Sequence, residues 1–596
     1  MDNNRRNSGE VILRRMFHRC VFQNYLGAMT LMINTAADGL IISHFLGNQA
    51  AAAFGIIFPI YSLLNFIPVL LRSSAQVNLG KYIGRGDLDS ADRCIFYLLS
   101  VGVLAAVPFV LLLTVLRGAA LVILSGQALY TERTLSLASD YLLWLTPAVF
   151  PLMLCPVLHP VMQMDGDAKR SPFAIQIAAV INLSGDMMNA LVFHGGMAGM
   201  ALATALSCYG ELFVLFLHFR KPQTVLRPSA GGRSSLKQLM RLSEGFPMML
   251  REIFSFLNGV LLNRLASSLG GESAVAVLAI GNSVWVFLLP AVMAVSGTCM
   301  TLGSVSAGEA DSRALHTVFL LGIWYSFLPC AAYAFVCFAA SRPLAVFCSG
   351  GDLPLLRMTL PYLRVLAMSL PFVCFCQMTE AQLIVRSKVR RSSVLGILDG
   401  GTIALALSWI LSRFIGLSCL WYGRLAGSFL LVLLALLFCS RPTSSDGEKS
   451  SLFSPPPAEE TDAFLESTLY TVEEVTAFSE KLRTTFRMKG LSFRTGSIAA
   501  LCVEELACNT LRWGYAATVN SGVDVRAACR NSELILRFRD GGRLFNPEQY
   551  IGQFQVSSQD PSRNIGLRIV SAAASDMRYI PLVNYNVVIL RIRNIE

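Results

Sequence analysis

The run "INLSGDMMNALVF", residues 181 to 193, sets Asn182 and Asp186 one helical turn apart in an otherwise apolar stretch. Residues at i and i+4 share a helix face, so the amide and the carboxylate would point the same way. An ionised acid in hydrocarbon is costly; such acids face a protein interior or an aqueous cavity and often mark an ion path. The run therefore predicts a buried polar site for a cation or a proton. The plainer alternative is a structural acid held by hydrogen bonds in the core. Arg251 and Glu252, adjacent in another apolar segment, form a second charged spot that reads as an ion pair near a helix end. A further pair with helical spacing, Glu505 and Asn509, lies in "CVEELACNTLRWGY", in a stretch of water-soluble character.

The elements around these residues are mostly membrane helices. Hydrophobic residues make up 54% of the 596 and charged ones only 15%, far from soluble averages. A helix needs about 20 apolar residues to span a bilayer. Twelve such runs occur, the first centred near residue 33 and the last near 429. The basic start leads into a full span with no small-residue cleavage site, so no cleaved signal peptide is expected. Counting loops alternately, one side carries Arg14, Arg15, Arg19, Lys81, Arg85, Lys169, Arg170, Arg220, Lys221, Arg313, Arg390 and Arg391 among others. The other carries Arg117, Arg133, Arg342 and Arg357. The positive-inside rule then places both termini in the cytoplasm of a multi-pass cell-membrane protein. The net charge of +11 is this bias rather than a nucleic-acid footprint. The 15 cysteines lack paired CxxC or His/Cys spacing, which argues for reduced thiols over zinc.

"LGKYIGRGDLDSA", residues 79 to 91, is echoed by "LGSVSAGEADSRA", residues 302 to 314, after the second and eighth runs. Equal placement suggests two parallel repeats of six helices, a transporter-like plan. The Pro- and Ser-rich segment 441–462 reads as a flexible linker. Beyond it, helical patterns at 471–490 and 494–512 and alternating stretches at "ELILRFRDG" and "VVILRIRN" suggest a two-layer α+β sandwich. The expected architecture is an α-helical polytopic membrane protein with twelve transmembrane helices in two six-helix parallel repeats, 1–225 and 226–440. The linker and a soluble C-terminal domain, 463–596, follow.

"INTAADGLIISHFLG", the repeated loops, "QMDGDAKRSP", "INLSGDMMN" and "GMALATALS" together, in order, resemble the multidrug and toxic compound extrusion family over roughly residues 10 to 440. The resemblance implies export of amphipathic, often cationic, compounds against inward sodium ions or protons. It assigns the coupling ion to Asp38, Asn182, Asp186 and Thr204. Two carboxylates with amide and hydroxyl oxygens make a hard donor set, suited to a hard cation or a proton. Sodium and proton both remain open. The repeat offset puts Ser408 opposite Asp186, so the ion site is expected in the first half only.

Residues 463 to 596 resemble the ATP-binding fold of histidine kinases and gyrases, nearest the anti-sigma-factor serine kinase branch. The motifs are "CVEELACNTLRWGY", "RDGGRLFNP" and "SRNIGLRIVS". The resemblance implies that Asn509 binds Mg²⁺ and Glu505 acts as base or orients it. It further implies that Asp540 reads the adenine amine, that Gly542 lets backbone approach the base, and that Gly566 and Leu567 open a helix facing the phosphates. Trp513 and Asn564 depart from the pattern, which has a histidine and a glycine there.

The leading expectation is a cation-coupled antiporter with a regulatory or signalling ATP-binding domain. The rivals are a membrane-anchored serine kinase acting on an anti-sigma-antagonist-like protein, with the membrane part as sensor, and a lipid-linked oligosaccharide flippase.

Overall fold

Asp87 and Asp311 begin equivalent helices. Asp87 Oδ1 accepts from the Ser90 amide at 3.0 Å and Asp311 Oδ1 from the Ala314 amide at 2.9 Å, each satisfying a free N–H of a first turn. The residue before each is left-handed, Gly86 at φ 71° and Ala310 at φ 52°. The repeated loops therefore correspond in structure, but in a register two residues off the one that matching letters suggests. Capping geometry, not the Gly-acid pair, aligns them, and it makes Arg85 the counterpart of Glu309.

The computed structural model describes residues 8–125, 131–230, 240–349, 352–440, 463–486, 492–515, 522–530, 533–556 and 565–593. The first helical half comprises α1 (Ser8–Ile41), α2 (Asn48–Gly84), α3 (Leu88–Thr114), α4 (Arg117–Ser125), α5 (Glu132–Leu145), α6 (Val149–Met164), α7 (Arg170–Met188) and α8 (Gly196–Phe216). The second comprises α9 (Met240–Ser243), α10 (Phe246–Gly308), α11 (Ser312–Ala339), α12 (Ser341–Ser349), α13 (Leu353–Val385), α14 (Val389–Ile397), α15 (Ile403–Ile415) and α16 (Cys419–Ser440).

Ten helices among the described residues are long and apolar enough to cross a membrane, against the twelve expected. The difference has a physical source. Helix α10 runs 63 residues, which if straight would span ~95 Å. It is interrupted by non-helical backbone at Gly270 and by Gly271, at φ 61°. The 50-residue run Val389–Phe438 is broken likewise at Gly401 and Gly416, with φ of 98° and 56°. Glycine tolerates those angles without a Cβ clash.

The halves close on each other at one end. A Cβ on Gly84 would lie 2.2 Å from the Val305 carbonyl oxygen, and one on Gly308 would lie 2.4 Å from that of Lys81. Ser304 Oγ donates to the Gln76 carbonyl at 3.0 Å, Asn24 Nδ2 to Thr298 Oγ1 at 3.0 Å, and Lys81 Nζ reaches Glu244 at 3.0 Å.

Beyond the helices lies one antiparallel sheet of order β1-β2-β3-β5-β4. Its strands are β1 (Ala463–Leu469), β2 (Val523–Arg530), β3 (Glu533–Asp540), β4 (Asp576–Leu582) and β5 (Tyr585–Arg593). They run with α17 (Val472–Phe486), α18 (Phe493–Asn509), α19 (Pro547–Val556) and α20 (Ile565–Ala573). Side chains alternate between the faces of a strand. Leu534, Leu536 and Phe538 of β3 and Val588, Leu590 and Ile592 of β5 pack with Val475, Val503 and Val570 of α17, α18 and α20. The opposite face meets the membrane helices: Ile580, Leu582, Val587 and Ile589 belong to the buried cluster of α1, α2 and α6. The expected linker, 441–462, lies outside the described residues.

Candidate functional site

Asp186 sits on α7 with no solvent exposure, and Asn182 one turn before it at 1%. Asn182 Nδ2 donates to Asp38 Oδ1 of α1 at 2.7 Å and to Asp186 Oδ2 at 3.0 Å. Ser207 Oγ of α8 donates to Asn182 Oδ1 at 3.4 Å. One amide thus gathers two carboxylates from two helices, while Asp186 Oδ1, fully shielded, has no donor among the described residues. A buried acceptor without a donor is costly. The set offers several oxygens converging on one place, which is what a hard cation or an added proton would satisfy. Gly185 supports the arrangement, because a Cβ there would lie 2.7 Å from Ala203 Cβ, so α7 and α8 pack closely beside the site. Of the four expected residues, Asp38, Asn182 and Asp186 are brought together. The Thr204 hydroxyl donates to the carbonyl of Met200 at 3.1 Å. Ser207, three residues on, makes the contact to Asn182.

The second half holds acids of its own. Glu380 on α13, with no exposure, takes a hydrogen bond from Arg251 Nη1 at 3.3 Å, and Arg251 Nη2 reaches Glu252 at 3.2 Å. Glu380 Oε1 is shielded without a partner. Asp399 lies on the irregular turn Leu398–Thr402, whose Gly400 carbonyl accepts from Asn258 Nδ2 at 3.1 Å. Polar chemistry is therefore present in both halves, though not at Ser408, which is buried with its Oγ unpartnered.

In the sheet region, Asp540 ends β3. Its Oδ1 accepts from the Gly542 amide at 2.8 Å and from Asn586 Nδ2 at 2.9 Å. Burial pushes the Asp540 carboxyl up from its ordinary range, with those two bonds opposing. A Cβ on Gly542 would lie 2.6 Å from the Gly514 carbonyl oxygen, so only glycine fits there. Glu505 on α18 meets the start of α20, where a Cβ on Gly566 would fall 1.9 Å from Glu505 Oε2. Leu567 is buried in the same core. Asn509, at the end of α18, is half-buried, while Trp513 is 79% exposed. Asn564 lies outside the described residues.

The sequence profile of the MatE family matches this chain twice, over residues 26–188 and 247–410, one copy in each helical half. The chain belongs to the MatE family. A FAD transporter of Shewanella oneidensis is 26% identical over 318 residues, covering 50% of this chain and 66% of the relative. A probable multidrug resistance protein of Bacillus subtilis is 23% identical over 305 residues, covering 48% and 63%. The matched chain thus spans a little under two thirds of each curated relative. Among solved structures, one described as the outward-facing conformation of a multidrug resistance MATE family transporter superposes at a TM-score of 0.65. It has 22% identity over 72% of this chain and 95% of that one. A Vibrio cholerae MATE transporter superposes at 0.65 with 20% identity, over 71% and 95%. These likenesses show the MatE fold of the membrane part.

Two features of the MatE half escape sequence reasoning. Ser207 carries no signal, since a hydroxyl in an apolar helix commonly bonds its own backbone. Glu380 sits in "QMTEAQLIVRSK", close to a basic loop, and reads as a loop residue; only the packing of α13 against α10 shows it buried.

Proposed function

We propose that this MatE protein is a cation-coupled antiporter, taking sodium ions or protons inward and exporting drug-like or metabolite compounds of amphipathic or cationic character across the cell membrane. The observation that carries the reading is the Asp38–Asn182–Asp186 cluster with the unpartnered, shielded Asp186 Oδ1. A site left one donor short, between helices of one half, gains most when an ion enters. Asp38 and Asp186 bind the ion, and Asn182 holds them in place. Thr204 lines the same helix as Ser207 and borders the site. The names of the curated relatives, a FAD transporter and a probable multidrug resistance protein, support a small-molecule cargo.

The reading takes each interrupted helix as two crossings. That makes twelve spans, six in each of the units 1–225 and 226–440, with the linker 441–462, the soluble domain and both termini in the cytoplasm. The basic loops support this topology. Acids rather than a basic cavity at the heart of the first half weigh against a lipid-linked oligosaccharide flippase.

The soluble domain, 463–596, is read as a regulatory nucleotide-binding module. Among the described residues Asp540 is held through Oδ1, which would leave Oδ2 for an adenine amine, and Gly542 keeps the neighbouring backbone free of a Cβ. Gly566 and Leu567 open α20, whose N-terminus suits phosphate. Asn509 would supply one oxygen to Mg²⁺. No group of three His, Cys, Asp or Glu among the described residues could hold a metal alone, so the ion would arrive with the phosphates and keep waters. ATP, when bound, would supply a phosphoryl group, and Glu505 would orient an ion held by Asn509 or accept a proton. The test of the main reading is transport in proteoliposomes under imposed sodium or proton gradients, with ethidium and FAD as cargo. Flux that ignores both gradients would refute it.

A further inference from the structure

The exposed-type face of the soluble sheet is not exposed. Arg526 of β2 and Arg537 and Arg539 of β3 alternate onto it, and each is 3–4% accessible. They reach the turn between α10 and α11: Arg537 Nη1 to Glu309 Oε2 at 2.6 Å and to Asp311 Oδ2 at 2.9 Å, Arg539 Nη2 to Glu309 Oε2 at 2.6 Å, and Arg526 Nη1 to Asp311 Oδ2 at 2.8 Å. Arg526 Nη2 also donates to the Ala310 carbonyl at 3.4 Å. That turn belongs to the second helical half.

The other end of the same face holds the first half. Arg591 Nη2 of β5 donates to the Arg85 carbonyl, in the turn between α2 and α3. The β4–β5 hairpin tip, with Val583 and Asn584 at φ 50° and 61°, sends the Val583 amide to the Gln163 carbonyl at 3.1 Å. A Cβ on Gly166 would lie 2.7 Å from Pro581 Cβ, and the Arg19 guanidinium sits over the Tyr585 ring at 5.9 Å. Arg85 and Glu309 are counterparts in the two repeats, so one rigid sheet grips the equivalent turn of each half.

Alternating access requires the halves to part at each end in turn. The end under the sheet is the one closed by Gly84, Gly308 and Ser304. We infer that the soluble sheet is an interlobe clamp: docked on the Arg85 and Glu309 turns together, it holds this end of the transporter shut and restrains its opening. Among the described residues the Nε–H of each of the three guanidiniums and Asp524 Oδ1 lack a partner, and a buried ion network of this kind roughly breaks even against desolvation. The apolar contacts of Ile580, Leu582, Val587 and Ile589 then hold the docked state, and a ligand on the soluble domain that favours the released state can shift the population. The inference rests on the transporter reading for its consequence but not for its geometry.

The test uses the full chain in proteoliposomes, with spin labels attached through non-canonical residues at positions 89 and 313, both exposed and one in each half. Wild type is compared with Glu309→Lys, with Arg539→Glu, and with Arg593→Glu, whose exposed guanidinium meets Glu533 of its own sheet. Glu309→Lys and Arg539→Glu should each lengthen the label distance and raise the flux of ethidium or FAD several-fold, and Arg593→Glu should leave both as in wild type. Unchanged distance and flux in Glu309→Lys and Arg539→Glu would overturn the clamp, as would a fall in flux in either. If the distances respond as expected while no variant, wild type included, moves either probe, the transporter reading falls and the clamp stands.

Discussion

Asn182 Nδ2 lies 2.7 Å from Asp38 Oδ1, a single hydrogen bond that ties α1 to α7 beside an acid whose second oxygen has no donor. Removing the amide leaves the buried Asp186 and the half-buried Asp38 without their shared partner, a loss of about 1–3 kcal/mol for the buried group. Asn182→Ala should therefore lower the thermal midpoint in detergent as well as coupled flux. Both hydroxyls bond their own helix, Thr204 at 3.1 Å and Ser207 at 2.8 Å, so Ser207→Ala should cost more flux than Thr204→Ala through its 3.4 Å contact to Asn182. The pair of flux measurements decides which hydroxyl belongs to the site.

Closure beneath the sheet depends on missing Cβ atoms. Gly84→Val would drive a methyl into the Val305 carbonyl, 2.2 Å from where its Cβ must sit. The distance between labels at 89 and 313 should lengthen. Gly39→Val, at a position where a Cβ meets nothing within 4 Å, should leave it unchanged.

The docked network titrates in two directions. Burial alone would raise Asp311, but Arg526, Arg537, the Ala314 amide and Arg539 outweigh it and hold the carboxyl well below its usual range. That contribution is fully present above the ordinary Asp value of about 3.9 and is lost as pH falls below it. Glu466 on β1, half-buried and facing Asp311 and Asp524 with Arg537 and Arg526 opposing, is pushed up to about 7, chiefly by desolvation. A raised acid favours the protonated folded state, so its contribution is lost as pH climbs from about 4.3 through 7. Hydrogen exchange at β3 should show protection declining between those values and then levelling off. Glu466→Gln should flatten the decline, and an unchanged profile would remove Glu466 from the network.

Sequence spacing located Asn182 and Asp186 because i, i+4 geometry in an apolar helix leaves few other arrangements. It found β3 and β5 from the alternation of Leu536-Arg537-Phe538-Arg539 and Leu590-Arg591-Ile592-Arg593 that follows their apolar starts, and it placed α17, α18 and the start of α20. It did not separate β1, β2 and β4, whose stretches are short on alternating apolar residues; the burial of Arg526 against a distant turn is a matter of packing. The continuous runs of α10 and of 389–438 hide in letters what Gly271, Gly401 and Gly416 do in backbone angles. The repeat was legible but misaligned by two residues, since capping by Asp87 and Asp311 depends on geometry rather than on matching letters. Glu380 and Asp399 were missed for the same reason: their burial is a property of packing between distant segments.

Nucleotide recognition by the full chain should divide between two residues. Asp540→Asn turns an acceptor into a mixed donor and acceptor, so it should weaken ATP and narrow the preference over GTP, because a site built to pair one polar edge rejects its mismatch. Asn509→Ala should weaken ATP only when Mg²⁺ is present. Calorimetric titration with ATP and GTP, with and without Mg²⁺, reads both effects. Absence of ATP binding by the wild-type chain would leave the clamp without this ligand.

In the proposed antiporter, Asp38 and Asp186 carry the ion that drives export. The most direct measurement is flux of ethidium or FAD in proteoliposomes under an imposed sodium or proton gradient, comparing wild type with Asp186→Asn and Asp38→Asn at matched, correctly folded protein. Wild-type flux should follow the gradient of one of the two ions, and both variants, though inserted and folded, should lose that dependence. Gradient-driven flux at the wild-type rate in either variant would contradict it.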